Sequence, residues 1–180
     1  MLQITLPACE MWDEQKQEFV YVKEQTLQLE HSLVSLSKWE SKWNKAFLTN
    51  KEKTIEETMD YIKCMTLTQN VKPEVYNRLT NEHITQINNY ISAPMTATYL
   101  SEEKNTRPNR EAVTSELIYY WMIALTIPMK CEKWHLNRLL TLIKVCNVKN
   151  QPPKKRNKRD IANHYAALNE ARRKKYDSKG

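Results

Sequence analysis

Histidines and paired carboxylates are the residues of this chain best suited to catalysis. The four histidines are isolated in sequence, and none lies beside a recognisable nucleophile motif. They are His31, His83, His135 and His164. Adjacent acids such as Glu56 and Glu57 point apart on a helix, which disfavours a general acid and base pair. We therefore predict no enzymatic activity and a structural, hydrogen-bonded His135; an enzyme would need a pocket of convergent polar groups around that residue.

Metal and nucleotide sites are also disfavoured. Cys131 and His135 lie four residues apart on a predicted helix, but no second ligand pair at similar spacing accompanies them. The one glycine of the chain is Gly180, so phosphate-binding loops and nucleophile elbows that depend on glycine are absent. We predict no metal and no cofactor. The four scattered cysteines predict reduced, mostly buried thiols.

The net charge of +7 is concentrated at the C-terminal end. Residues 151–180 hold ten basic and three acidic residues, which gives +7, whereas the first 150 residues hold 18 of each. Such a segment is a solvated tail, or it contacts an acidic protein surface or nucleic acid. The residues predicted to contact a partner are Lys154, Lys155, Arg156, Lys158, Arg159, Arg172, Arg173, Lys174 and Lys175.

Three segments must position these groups: a β-hairpin over residues 1–30 packed on the body, a helical core over 31–150, and a basic linker with a short helix over 151–180. Gln3–Leu6 and Glu18–Val22 have strand character, and the simplest prediction pairs them. A hairpin of this kind is marginal alone, so it must pack on the body or extend the sheet of a partner.

Helical periodicity dominates from Ser32 onward. Leu33, Leu36, Trp39 and Trp43 form one apolar stripe, and Thr54 to Glu57 is a capping box. Further helices are predicted from Pro73 to Leu79, Asn81 to Ser92, and Cys131 to Asn147. The expected fold is mainly α, a compact bundle of about five to six helices with an N-terminal β-hairpin and a C-terminal basic helical arm.

Two helices carry further expectations. Asn109 is predicted to cap a long helix whose Leu117–Leu125 run is apolar on all sides, which is typical of a helix at the centre of a core. This run is too short to span a membrane. Asp160 is predicted to cap the last helix, whose narrow apolar stripe favours ordering on a partner. The N-terminus has no basic and apolar pattern of a secretory signal, so we expect the protein to remain where it is made.

Six blocks of the sequence span nearly the whole chain: residues 29–43, 57–71, 91–98, 117–125, 132–150 and 167–180. Together they resemble a family of small proteins from the tail-morphogenesis module of tailed bacteriophages, most similar to tail assembly chaperones. The second block reads ETMDYIKCMTLTQNV, and the fourth reads LIYYWMIAL.

The resemblance implies a protein without catalytic residues that binds the tape measure protein or another tail component in the host cytoplasm during assembly. A structural virion component, such as a head-to-tail connector or tail protein, fits the same features and would also carry arms that order on assembly. A third alternative is nucleic-acid binding through the basic tail. A homo-oligomer is compatible with each of these alternatives, and no membrane partner is expected.

Overall fold

Four β-strands, six α-helices and two 3₁₀-helices lie within residues 1–13, 17–49, 52–98, 112–150 and 158–176, the ranges that the computed structural model describes. The strands are β1 (Leu2–Leu6), β2 (Cys9–Asp13), β3 (Glu18–Val22) and β4 (Gln25–Leu29). The helices are α1 (Leu33–Trp43), α2 (Ile55–Met65), η1 (Pro73–Arg78), α3 (Asn81–Ser92), α4 (Ser115–Ala124), η2 (Met129–Lys133), α5 (Leu136–Asn150) and α6 (Lys158–Tyr176). They form two compact units, Met1–Val148 and Lys149–Gly180. The predicted class, mainly helical with an N-terminal hairpin, is confirmed.

The N-terminal hairpin consists of two consecutive antiparallel ladders. β1 pairs with β4 and β2 pairs with β3. Both ladders have the same register. In every pair the two residue numbers add up to 31, as for Leu2 with Leu29 and Cys9 with Val22. Pro7, which has no amide hydrogen for a ladder, lies at the break. We call β1 with β4 the inner hairpin, and β2 with β3 the outer hairpin.

The predicted pairing of Gln3–Leu6 with Glu18–Val22 is wrong, although both segments are strands. Each pairs instead with a strand that the sequence analysis left out, β4 and β2 respectively. The short connection between β2 and β3 makes their pairing the least costly in chain entropy, and β4 then meets β1 in the same register.

The inner hairpin is fixed to the helical body by one apolar face. Ile4, Leu6, Leu27 and Leu29 alternate with exposed residues along the two strands, and all four are buried. The outer edge of β4 is also covered, because the amide of Leu67 donates to the Gln28 carbonyl at 2.7 Å and the amide of Glu30 donates to the Met65 carbonyl at 2.9 Å. Burial of the apolar face and a closed strand edge together hold this half of the hairpin in place.

α1 is the central helix of the larger unit. It packs against α2, α4 and η2. Leu33, Leu36 and Trp39 are completely buried, as their predicted stripe requires. The indole N–H of Trp39 donates to the Glu57 carbonyl at 2.9 Å, so the largest core side chain also has its polar atom satisfied.

Glu40 joins α1 to two other elements through its buried carboxylate. Its side chain is 6% exposed. Oε1 accepts the amide of Phe47 at 2.8 Å, and Oε2 accepts the amide of Ser115, the first residue of α4, at 2.7 Å. A carboxylate is favoured at a helix N-terminus, where amide groups lack intrahelical partners. One side chain therefore positions both the segment after α1 and the start of α4.

The predicted starts of the early helices agree with the structure. Ser32 caps α1, and both hydrogen bonds of the predicted capping box at Thr54 are present. The predicted short helix after Pro73 is the 3₁₀-helix η1, and α3 has the predicted bounds Asn81 and Ser92.

The predicted central position of the Leu117–Leu125 helix is wrong. Ile118 and Met122 of α4 are buried, but Tyr120 is 63% exposed and Ile123 is 67% exposed. The reason is that α1 already occupies the centre, so α4 lies at the surface of the body with only one side covered. Thr114 caps α4 in place of Asn109, which is outside the described residues. None of the helices in the described ranges is long and apolar enough to cross a membrane.

The predicted single helix from Cys131 to Asn147 is two helices. η2 ends at Lys133, the chain is extended at Trp134, and α5 begins at Leu136. His135 explains the break, because its Nδ1 accepts the amide of Asn137 at 3.3 Å and its carbonyl accepts the amide of Leu139 at 3.1 Å. His135 thus caps the N-terminus of α5.

We predict that Glu40→Gln destabilises the folded protein by about 3 kcal/mol, because a neutral amide is a weaker acceptor and presents only one oxygen to the two buried amides. Urea unfolding followed by circular dichroism measures the change. Glu24→Gln, at an exposed position after the outer hairpin, is the matched control and should change the free energy of unfolding by less than about 0.5 kcal/mol. Equal stability of both variants would contradict the role of Glu40.

Candidate protein-binding site

The outer hairpin presents three aromatic side chains to solvent. Trp12, Phe19 and Tyr21 are 52%, 69% and 64% exposed. Trp12 and Phe19 are direct partners across the ladder, with ring centroids 5.1 Å apart in an edge-to-face arrangement. Tyr21 is paired with Glu10 on the same face, which is two residues along each strand. We call this surface, made of Glu10, Trp12, Phe19 and Tyr21, the aromatic–acidic face.

The aromatic–acidic face is the more exposed side of the outer hairpin. The opposite side of the outer hairpin, with Cys9, Val20 and Val22, is half-buried. Leu6 and Leu27 are completely buried in the body, whereas Trp12 and Phe19 are exposed. The body thus covers the apolar residues of the inner hairpin and leaves the rings of the outer hairpin uncovered.

Arg78 connects the body to the break between the two ladders. Its guanidinium donates to the carbonyls of Leu6 at 3.4 Å, of Lys23 at 3.5 Å, and of Pro7. These acceptors come from both chain segments at the break, since Leu6 and Pro7 precede β2 and Lys23 follows β3. Arg78 belongs to η1, so the planar, multiply donating side chain fixes where the outer hairpin leaves the body.

The basic residues predicted to bind a partner are only partly within the described ranges. Lys154, Lys155 and Arg156 lie outside them, and Lys158 and Arg159 form the first turn of α6, with side chains that are not described. α6 begins at Lys158, so the predicted capping role of Asp160 is wrong, because Asp160 lies inside the first turn.

The second basic cluster is exposed but does not form one patch. Arg172, Arg173, Lys174 and Lys175 are consecutive residues of α6 and all are exposed. Consecutive residues of a helix point about 100° apart, so the four charges are distributed around the axis. Lys174 also pairs with Glu170 at 2.8 Å. Partner binding by this arm, including contact with nucleic acid, stays a prediction.

The two buried histidines form a polar connection inside the body. The rings of His31 and His135 are edge to face, with centroids 5.1 Å apart. His31 Nδ1 lies 2.5 Å from the Tyr61 hydroxyl, and His135 Nε2 donates to the Tyr90 carbonyl at 3.0 Å. Both ring nitrogens of His135 are thus used by backbone groups, which is the geometry of a structural histidine.

Burial determines the protonation of this pair. Burial, followed by the nearby charge of His135, lowers the pKa of His31 to about 3. Burial also lowers the pKa of His135, although the Tyr90 carbonyl and the charge of Glu30 oppose that change. Glu30 is itself engaged, because it accepts the Tyr90 hydroxyl at 2.7 Å and pairs with the amino terminus of Met1 at 3.0 Å. Both imidazoles are neutral at pH 7.

Metal ligands and pockets give no stronger candidate in the described ranges. No group of three or more His, Cys, Asp or Glu side chains in the described residues could hold a metal ion. Of the four free thiols only Cys131 is buried, so the prediction of mostly buried cysteines is wrong. A pocket of about 350 Å³ is lined by Trp121, Leu140 and Ile143, with Lys144 its one charged lining residue. Within the same ranges every buried side-chain nitrogen and oxygen has a hydrogen-bond partner.

The sequence analysis missed the aromatic–acidic face. The Glu18–Val22 strand was predicted, but Trp12 was placed in the loop between the predicted strands. Alternation of Cys9, Met11 and Asp13 with Glu10 and Trp12 is too weak a pattern to indicate a strand alone, and the direct pairing of Trp12 with Phe19 is what defines the surface.

Comparisons of the chain with protein-family models, curated proteins and solved structures give no match.

We predict that the protein loses stability as the pH falls from 7 to 5. The folded-state pKa of His31 is depressed, so the unfolded chain binds more protons below pH 6.5, and the stabilisation present above that value is lost progressively towards pH 3. The expected loss at pH 5 is about 2 kcal/mol in the free energy of urea unfolding.

Two variants separate this effect from other titrations. His31→Gln, which cannot titrate, should reduce the difference between pH 7 and pH 5, whereas His164→Gln on the exposed surface of α6 should leave the difference unchanged. The same pH dependence in His31→Gln as in the original protein would refute the assignment.

We predict that Arg78→Ala loosens the outer hairpin without unfolding the body, because three backbone carbonyls at the break lose their common donor. Hydrogen exchange of the amides in residues 18–22 should become several-fold faster, while the Leu27 and Leu29 amides keep their protection. Arg138→Ala on α5, which removes a cation from the Trp134 ring, is the control. If both substitutions had the same small effect on residues 18–22, Arg78 would not position the hairpin.

Proposed function

We propose that this chain is a non-catalytic assembly protein that binds another protein through its outer hairpin. The observation that carries the proposal is the exposure of Trp12, Phe19 and Tyr21 together on one side of the outer hairpin. Large aromatic side chains grouped on a protruding element are typical of binding surfaces, because they bury a large area and lose little side-chain entropy. A partner that covers this surface would bury the aromatic side chains of the outer hairpin, as the body buries the apolar side chains of the inner hairpin.

The proposed partner comes from the sequence resemblance. We propose that the chain acts as a bacteriophage tail assembly chaperone and that its client is the tape measure protein or another tail component. The histidines support a binding role over a catalytic one. His31 hydrogen-bonds to the Tyr61 hydroxyl, and both ring nitrogens of His135 hydrogen-bond to backbone groups. The second candidate, a structural component of the virion, uses the same binding surface but remains in the particle.

We predict that co-expression with this protein increases the soluble fraction of the tape measure protein of the same phage several-fold. The double variant Trp12→Ser and Phe19→Ser should lose this effect, because it removes the cross-strand aromatic pair and leaves the inner hairpin unchanged. The control Tyr120→Ser, at a similarly exposed aromatic position on α4, should keep it.

Two results would contradict the chaperone role. One is an unchanged soluble fraction of the client with the original protein. The other is a stoichiometric copy number in purified virions, measured by mass spectrometry, which would replace the chaperone with a structural component.

A further inference from the structure

We infer that the aromatic–acidic face binds a basic segment of the partner, with Lys or Arg side chains placed over the Trp12, Phe19 and Tyr21 rings. The inference rests on the proposed function and adds the chemistry of the partner. The occupant is a positively charged polypeptide segment.

The first observation is the charge of the hairpin. Residues 9–22 contain four acidic residues, Glu10, Asp13, Glu14 and Glu18, and one basic residue, Lys16, which gives a net charge of −3. Glu10 lies on the same face as the three rings, directly across the ladder from Tyr21, and both side chains are exposed. Asp13 and Glu18 form the pair on the opposite side of the ladder, so the negative charge belongs to the hairpin as a whole, which attracts a basic segment and disfavours an acidic one.

The second observation concerns the cations that lie near other aromatic rings of the protein. Several of them have a Lys or Arg of the chain within cation–π distance: Trp43, Phe47, Tyr76, Trp134 and Tyr176. The cation lies 4.3 Å from the ring centroid for Arg138 over Trp134 and 4.1 Å for Lys53 over Phe47. Within the described ranges, no such cation accompanies Trp12, Phe19 or Tyr21. Their exposed ring faces can therefore accept a cation from a partner.

The third observation is the geometry of the face. Trp12 and Phe19 form one cross-strand pair, and Glu10 and Tyr21 form the next pair but one along the ladder. A carboxylate therefore lies beside a group of π faces, which suits a guanidinium or ammonium that stacks on a ring and pairs with an acid at the same time. Neither an apolar nor an anionic segment would use Glu10, and burying that carboxylate without a counter-ion would cost free energy.

The test titrates the full-length protein into a dye-labelled peptide of alternating arginine and threonine, with fluorescence anisotropy as the readout. A peptide in which serine replaces arginine is the matched control. We expect binding of the arginine peptide at low salt, weaker binding as salt is added, and no binding of the serine peptide. Equal binding of the two peptides would overturn the inference.

Three variants locate the peptide. Glu10→Lys, which keeps the aromatic rings, and Trp12→Ser with Phe19→Ser, which keeps the charge, should each weaken binding roughly fivefold or more. Tyr120→Ser on α4 should leave the affinity unchanged. Circular dichroism confirms that each variant remains folded. If the arginine peptide bound all variants equally, it would bind elsewhere on the protein and the inference would fail.

The failure of the inference is distinguishable from the failure of the proposed function. If Glu10→Lys has no effect on peptide binding but Trp12→Ser with Phe19→Ser abolishes client solubilisation, the hairpin binds its client without cation recognition. If the aromatic variant still solubilises the client, the hairpin is not the binding site, and both proposals fall.

Discussion

Strand pairing in the N-terminal hairpin is the constraint on which the binding surface depends. The pairing places Trp12 opposite Phe19 and Glu10 opposite Tyr21, so the three rings and the carboxylate share one side of the outer hairpin. Burial of Ile4, Leu6, Leu27 and Leu29 in the body fixes the inner hairpin from which the outer hairpin extends. The body does not cover the aromatic side chains of the outer hairpin, which remain exposed.

Buried polar groups hold the body that supports this hairpin. Glu40 brings the start of α4 and the segment after α1 to the central helix, and the pair of His31 and His135 joins the end of the hairpin to α5. The amide of Leu136 also donates to the His31 carbonyl at 2.7 Å, so the same junction is closed by backbone and side-chain contacts. Such groups are expensive to bury unless every partner is present, which gives the body one well-defined arrangement.

Local patterns in the sequence predict the helices well and the tertiary arrangement poorly. The caps at Ser32 and Thr54 and the bounds of α3 follow from side chains near in sequence. The pairing of β1 with β4 joins residues far apart in sequence, and local alternation does not specify it. The exposed side of α4 could not be predicted either. An apolar sequence indicates that a helix is buried, but it does not indicate which helix occupies the centre of the core. For the binding site, the clustered positive charge predicts contacts through the C-terminal arm. The aromatic–acidic face depends on the pairing of Trp12 with Phe19, which the sequence pattern does not indicate.

Site-specific photo-crosslinking can detect a partner protein that covers the aromatic–acidic face. A photoreactive phenylalanine analogue placed at position 19 reports contacts of the face, and the same analogue at position 120 reports contacts of the exposed side of α4. With the tape measure protein present, the account predicts a crosslink to that protein from position 19 and none from position 120. Crosslinking from position 120 alone would contradict it.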